Sequence, residues 1–153
     1  MALYLVQHGK SLPKDEDPKK GLSPEGIAET KRIAEVAKSY DILVSGITHS
    51  GKTRARQTAE IFESILKPEQ GIQENSGLNP LDDVTVFADK IDNAANRMLV
   101  GHLPFMERLT SFLITESMET PVFKFQNSGI VCLGKYPTTS FWVIKWALMP
   151  NIG

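Results

Sequence analysis

Short apolar runs and amphipathic stretches alternate along this chain from end to end. Leu3-Tyr4-Leu5-Val6 is too short for a helix and predicts a buried strand ending at Gln7-His8-Gly9. Ile42 to His49 contains a second strand, Ile72-Gln73-Glu74 a short one, and Met98-Leu99-Val100-Gly101-His102 repeats the opening pattern. Strands at about Ile130 to Leu133 and Phe141 to Leu148 close the chain. Between them lie helical spacings. Ser23 as N-cap, Pro24 at the first helical position and Glu25 in the first turn start a helix that runs to about Tyr40. Ala55, Thr58, Ala59, Phe62, Ile65 and Leu66 share one face of a second, stopped by Pro68. Val84, Phe87, Ala88 and Ile91 predict a third helix, and Phe105, Leu109, Phe112 and Leu113, after Pro104, a fourth. Residues 11–21 are polar and read as a loop off the first strand.

This alternation predicts one α/β domain over residues 1–153, long enough to bury a core without staples. A net charge of −1 gives no field of one sign to attract nucleic acid or a membrane surface. The one cysteine, Cys132, lies in an apolar run and reads as a small buried hydrophobe. No stretch is long and apolar enough to span a bilayer, and no signal peptide is visible, so a cytoplasmic location is expected.

Ligands of open α/β sheets bind beyond the carboxyl ends of the strands. His8 and His102 share that address, and the segment from Ser50 to Arg56 occupies it at the second strand. If the strands are parallel neighbours, two imidazoles and the Arg54 guanidinium meet in one crevice and form an anion site. The helix beginning near Thr53 adds its N-terminal amides, and Gly9 leaves room for backbone to approach a ligand. No acid accompanies the histidines, so neither metal nor cofactor is expected.

Four segments in order resemble the histidine phosphatase (phosphoglycerate mutase-like) superfamily, and within it the small SixA-type phosphohistidine phosphatases. Leu5-Val6-Gln7-His8-Gly9 is similar to the Arg-His-Gly signature, and Leu22-Ser23-Pro24-Glu25-Gly26 to the Leu-Thr-x-x-Gly helix start. Ser50 to Ala59 resembles Ser-Pro-x-x-Arg-Ala-x-Gln-Thr-Ala, and Gly101-His102-Leu103-Pro104 the SixA-type Ser/Gly-His-Leu-Pro. The resemblance implies a three-layer sandwich, a mostly parallel central sheet with helices on both faces. It implies a metal-independent phosphatase in which His8 is the nucleophile while His102 and Arg54 hold the transferring phosphoryl group. Gln7, Gly9, Lys10, Ser50 and Ser128 are the substrate-binding candidates. The implied partner is a phosphorylated protein, such as a histidine phosphotransfer domain, or a small phosphate ester.

Two departures stand out. The family's first arginine is Gln7, which brings neither charge nor fork; Lys10 either restores a charge or is a solvated loop lysine. No general acid is obvious: Asp82 and Asp83 are the candidates, with helix-capping acids as the plainer reading. Ser128 either reaches the phosphate or belongs to an ordinary turn, and His49 borders the pocket or points to the opposite face. Two rival readings remain. Gly46 to Thr53 fits the P-loop pattern G-x-x-x-x-G-K-[ST], which would make a nucleotide-binding protein. The other is a phosphate-binding relative that Gln7 has robbed of turnover.

Overall fold

The computed structural model describes residues 2–91 and 95–152. Six strands form one sheet in the order β3-β2-β4-β1-β5-β6. The strands are β1 (Leu3–Gln7), β2 (Gly46–His49), β3 (Ile72–Glu74), β4 (Arg97–Gly101), β5 (Ile130–Lys135) and β6 (Trp142–Leu148). β1 pairs parallel with β4, and β2 parallel with β4 and β3. β5 runs antiparallel to both β1 and β6, so it alone opposes the common direction. The carboxyl ends of β1, β2 and β4 therefore lie side by side, as a shared crevice requires. Four helices complete the chain: α1 (Pro24–Ser39), α2 (Thr53–Leu66), α3 (Val84–Ala88) and α4 (Phe105–Thr115).

Period-two alternation decides which layer each strand residue feeds. Tyr4, Val6, Ile47, Met98, Val100, Ile130 and Cys132 face α1 and α2, packing on Ile33, Ala34, Ala59 and Phe62. Leu3, Leu5, Leu99, Val131 and Leu133 face the other way, onto Val84, Phe105, Met106 and Leu109. The result is a three-layer α/β sandwich. Phe62 is wholly buried, so truncation to alanine costs about 3–5 kcal/mol in lost transfer energy and cavity. Cys132 is buried in the first layer, and burial pushes its thiol up to about 11.

Local signals act as their chemistry dictates. The Ser23 hydroxyl accepts from the Gly26 amide at 3.0 Å, and Pro24 opens α1. Gly26 is required sterically, because a Cβ there would lie 2.1 Å from the Lys10 carbonyl oxygen. α2 ends at Leu66, with Lys67 in the left-handed region (φ 49°) and its amide on the Glu63 carbonyl. The third helix is shorter than its spacing predicts. It stops at Ala88, and the Lys90 and Ile91 amides return to Phe87 and Ala88 in tight turns, so Ile91 packs from outside the helix.

Candidate active site

His8 follows β1, His102 follows β4, and Arg54 stands on the first turn of α2, after β2. The two imidazole rings lie 5.1 Å apart between centroids, tilted by 53°. The Arg54 Nε donates to His8 Nε2 at 3.3 Å. His8 Nδ1 lies 2.7 Å from the Gly9 carbonyl oxygen. A carbonyl only accepts, so the proton sits on Nδ1 and the lone pair on Nε2. That lone pair faces Arg54. Ser50 joins the cluster, with its hydroxyl 2.6 Å from His102 Nε2, and His102 Nδ1 is buried without a partner.

Electrostatics keep both rings neutral. Burial, above all, lowers His8 to about 4; the Gly9 carbonyl opposes the shift, while the Arg54 and Lys20 charges add to it. Burial likewise leads in lowering His102 to about 3, followed by the charges of His8, Arg54, Lys52 and Lys20. Arg54 touches the neutral His8 ring, and the Lys20 and Lys52 charges add to the positive field around the pair. The first amides of α2 strengthen it, since Lys52 gives that helix no side-chain cap and the first intrahelical bond belongs to Arg56. Two unprotonated imidazoles beside a guanidinium and a helix N-terminus suit a tetrahedral oxyanion. Positive charge suits the oxygens, and His8 Nε2 carries a lone pair that becomes available when the Arg54 Nε–H bond yields to an anion.

The structure thus brings His8, Arg54, His102 and Ser50 together, and it separates several other candidates from them. Gly9 is close, but its missing Cβ serves packing: a Cβ would meet the Thr30 hydroxyl at 2.8 Å and both Leu22 and Ser128 at 3.1 Å. Its amide donates to the Thr58 hydroxyl at 2.9 Å. The space expected for a ligand beside Gly9 is filled by the side chains of Thr30, Leu22 and Ser128. Gln7 ends β1 with its Oε1 buried and unpartnered.

Lys10 is turned away. Its ammonium bonds Glu25 at 2.8 Å and lies 3.7 Å from Glu29, so two carboxylates compete for it. Ser128 is wholly buried, its hydroxyl 2.7 Å from that of Thr30, which corrects the substrate-binding expectation. Asp82 and Asp83 are likewise not acids of this site. Asp82 accepts from the Asn79 amide at 2.9 Å, closing a turn, and Asp83 caps α3 by accepting from the Thr85 amide at 2.9 Å. Both line a cavity of about 660 Å³ whose walls include neither imidazole nor Arg54.

His49 points to the α2 layer, where its Nδ1 accepts from the Gly51 amide at 3.1 Å. The P-loop reading fails on conformation. Gly46 to His49 is strand β2, fully buried, so the phosphate-wrapping loop that motif requires does not exist. Among the described residues, no three His, Cys, Asp or Glu side chains gather as a metal-holding group. Also among them, no helix is long and apolar enough to cross a membrane. Lys20 and Lys52 act on the rings from outside the expected phosphatase set. Lys20 carries no periodic or motif signal, and Lys52 is marked only by the P-loop pattern that the strand conformation of Gly46 to His49 rules out.

No family model matches the chain, and no curated protein matches its sequence. Its structure does have counterparts. The protein histidine phosphatase SixA, solved in complex with tungstate, superposes with a TM-score of 0.83 at 22% identity, covering 98% of this chain and 97% of that one. SixA from Agrobacterium tumefaciens, assigned as a phosphohistidine phosphatase, gives 0.77 at 24% identity, with 97% of each chain covered. Phosphoserine phosphatase from Entamoeba histolytica, in complex with 3-phosphoglyceric acid, gives 0.68 at 13% identity over 96% of each chain. The chain has the fold of the histidine phosphatase, phosphoglycerate mutase-like proteins.

Proposed function

We propose that this protein is a phosphatase that works through a phosphohistidine on His8 and acts on protein phosphohistidine. The observation that carries the reading is the state of His8. Its Nδ1 proton is committed to the Gly9 carbonyl, and its Nε2 lone pair lies 3.3 Å from the Arg54 Nε. In the first step Nε2 attacks phosphorus in line, the N–P bond forms, and the bond to the leaving group breaks. In the second, water attacks phosphorus and the N–P bond breaks, releasing phosphate and restoring His8. Arg54, His102 and the α2 amides hold the oxygens throughout, so the charge built up at the transition state meets fixed donors. His102 takes up a proton as the anion arrives.

Substrate choice follows from the leaving group. Asp82 and Asp83 are engaged elsewhere, so neither of these candidate acids stands ready to protonate a departing alkoxide. A phosphorylated imidazole needs less help, because its nitrogen departs readily. The fold shared with the SixA proteins supports the same reading. A cytoplasmic location and turnover without metal go with it.

The test is a panel in chelator: a phosphohistidine-bearing phosphotransfer domain, a sugar phosphate and phosphoserine, with wild type and His8→Ala. The expected result is turnover of the phosphohistidine protein that His8→Ala abolishes. Faster hydrolysis of the sugar phosphate would refute the substrate class, and equal turnover by His8→Ala would refute the mechanism.

A further inference from the structure

Gln7 leaves a charge deficit that the loop after β1 is built to fill. The two feet of that loop pair through a bridge between Ser11 and Leu22, and the Leu12 amide donates to the Gly21 carbonyl at 2.8 Å. Asp17 organises the interior. Its carbonyl accepts from the Lys20 amide at 2.9 Å, and its carboxylate accepts from the Lys19 amide at 3.0 Å and the Gly21 amide at 2.9 Å. The next amide, Leu22, donates to Gln57 Oε1 at 2.7 Å. Gln57 follows Arg54 by three residues, so both leave the same face of α2. The residues that follow Lys20 are thus tied to the helix turn that presents Arg54, with Gly21 packed on Gln57 and Leu22 bonded to it.

Its own conformation is costly. Lys20 takes φ 51°, a left-handed value that a lysine adopts against its preference, while a glycine stands next to it at position 21. Strain of this kind persists where the surroundings over-determine the backbone. Lys20 is half-buried, and among the described residues it has no ion pair, since Asp17 is spent on backbone amides. Its charge reaches both imidazoles and disfavours their protonation.

We propose that the Lys20 ammonium is the second fixed cation of the oxyanion site, binding a phosphoryl oxygen opposite Arg54 and supplying the charge that Gln7 lacks. The inference rests on the phosphatase reading of the cluster. It also explains how an uncharged residue is tolerated beside the nucleophile. In the free site both rings are neutral, so a lysine on a clamped loop adds a fixed charge to that of Arg54 before any proton is taken up by His102.

The probe is inorganic phosphate, titrated at pH 7 and low salt against wild type, Lys20→Gly, Lys20→Arg and Arg54→Ala. Lys20→Gly removes the charge while suiting the left-handed backbone, so it keeps or raises the melting temperature. It should weaken phosphate binding about 10- to 100-fold, as loss of a charge-assisted hydrogen bond does, whereas Lys20→Arg stays within about threefold. In the free Lys20→Gly protein both imidazole titrations should move upward, which a purely structural role would not cause. Phosphate binding within twofold of wild type in Lys20→Gly, with a large loss in Arg54→Ala, would overturn the role of Lys20 and leave the anion site standing. Unchanged binding in Arg54→Ala would overturn both.

Discussion

Arg54 and His8 are joined nitrogen to nitrogen: the guanidinium Nε–H points at the imidazole Nε2 lone pair across 3.3 Å. One contact fixes three things. It orients the ring, it occupies the Nε2 lone pair, which on the proposed mechanism is the attacking one, and it leaves the terminal guanidinium nitrogens for the oxygens that mechanism assigns to them. Arg54→Ala should therefore lower the rate about 100- to 1,000-fold, the usual loss for one oxyanion donor. Arg54→Lys should recover little, because a point charge replaces the planar fork. Single-turnover rates check this, and recovery to within threefold by lysine would show that charge alone matters.

Anion binding should take up protons. His102 is lowered to about 3 in the free site, chiefly by burial and then by neighbouring cations. A dianion beside it favours the charged ring, so its pKa rises on binding. Calorimetry with tungstate in buffers of different ionisation enthalpy should reveal net uptake near pH 6. Zero uptake, or release, would contradict the assignment of His102 to the oxyanion.

The same shifts predict how stability depends on pH. In the unfolded chain both rings titrate near 6.5, whereas folding lowers His8 to about 4 and His102 to about 3. The unfolded state then binds protons that the folded state refuses. Stability is fully present above pH 6.5 and falls as acid carries the solution down toward 4 and 3. His102→Gln should make the decline between pH 6.5 and 5 shallower by about one proton's slope. Urea unfolding measures it, and parallel curves for the two proteins would sink the prediction.

Gln7→Arg should tighten phosphate binding about tenfold, by adding a charged donor beside the cluster. The Gln7 Oε1 is buried and unpartnered, so the substitution forfeits no hydrogen bond from that oxygen. Titration of both proteins decides, and weaker binding in the variant would show that the position does not face the anion.

Ser128 should behave as a structural residue. Its hydroxyl is wholly buried on Thr30, so Ser128→Ala should cost about 1 kcal/mol of stability and leave KM unchanged. Gly9→Ala should cost more, because the new Cβ meets Thr30 at 2.8 Å. A raised KM with unaltered melting in Ser128→Ala would restore it to the substrate.

Much of this was legible in the chain. The apolar runs at Leu3–Val6 and Met98–Val100 are parallel core strands, and a run buried on both faces announces itself without alternation. That His8, Arg54 and His102 meet was readable from their strand-end positions, and the sheet order makes those ends neighbours. What stayed hidden depends on partners far away in sequence. Ser128 meets Thr30 across 98 positions, and no local pattern encodes that contact. Lys10 and Lys20 are both loop lysines in sequence. Glu25 and Glu29 draw one away, while the other lies in a loop that Asp17 closes and Gln57 of α2 anchors at Leu22. Asp83 shows the reverse case, where the cap its position suggested is the cap it forms.

The central claim is tested most directly by rapid mixing with a phosphohistidine protein labelled at phosphorus, quenched in alkaline denaturant to preserve the N–P bond. Wild type should carry label on His8 within one turnover, and His8→Ala should carry none. Full turnover with no label on His8 at any time would contradict a covalent route through that imidazole.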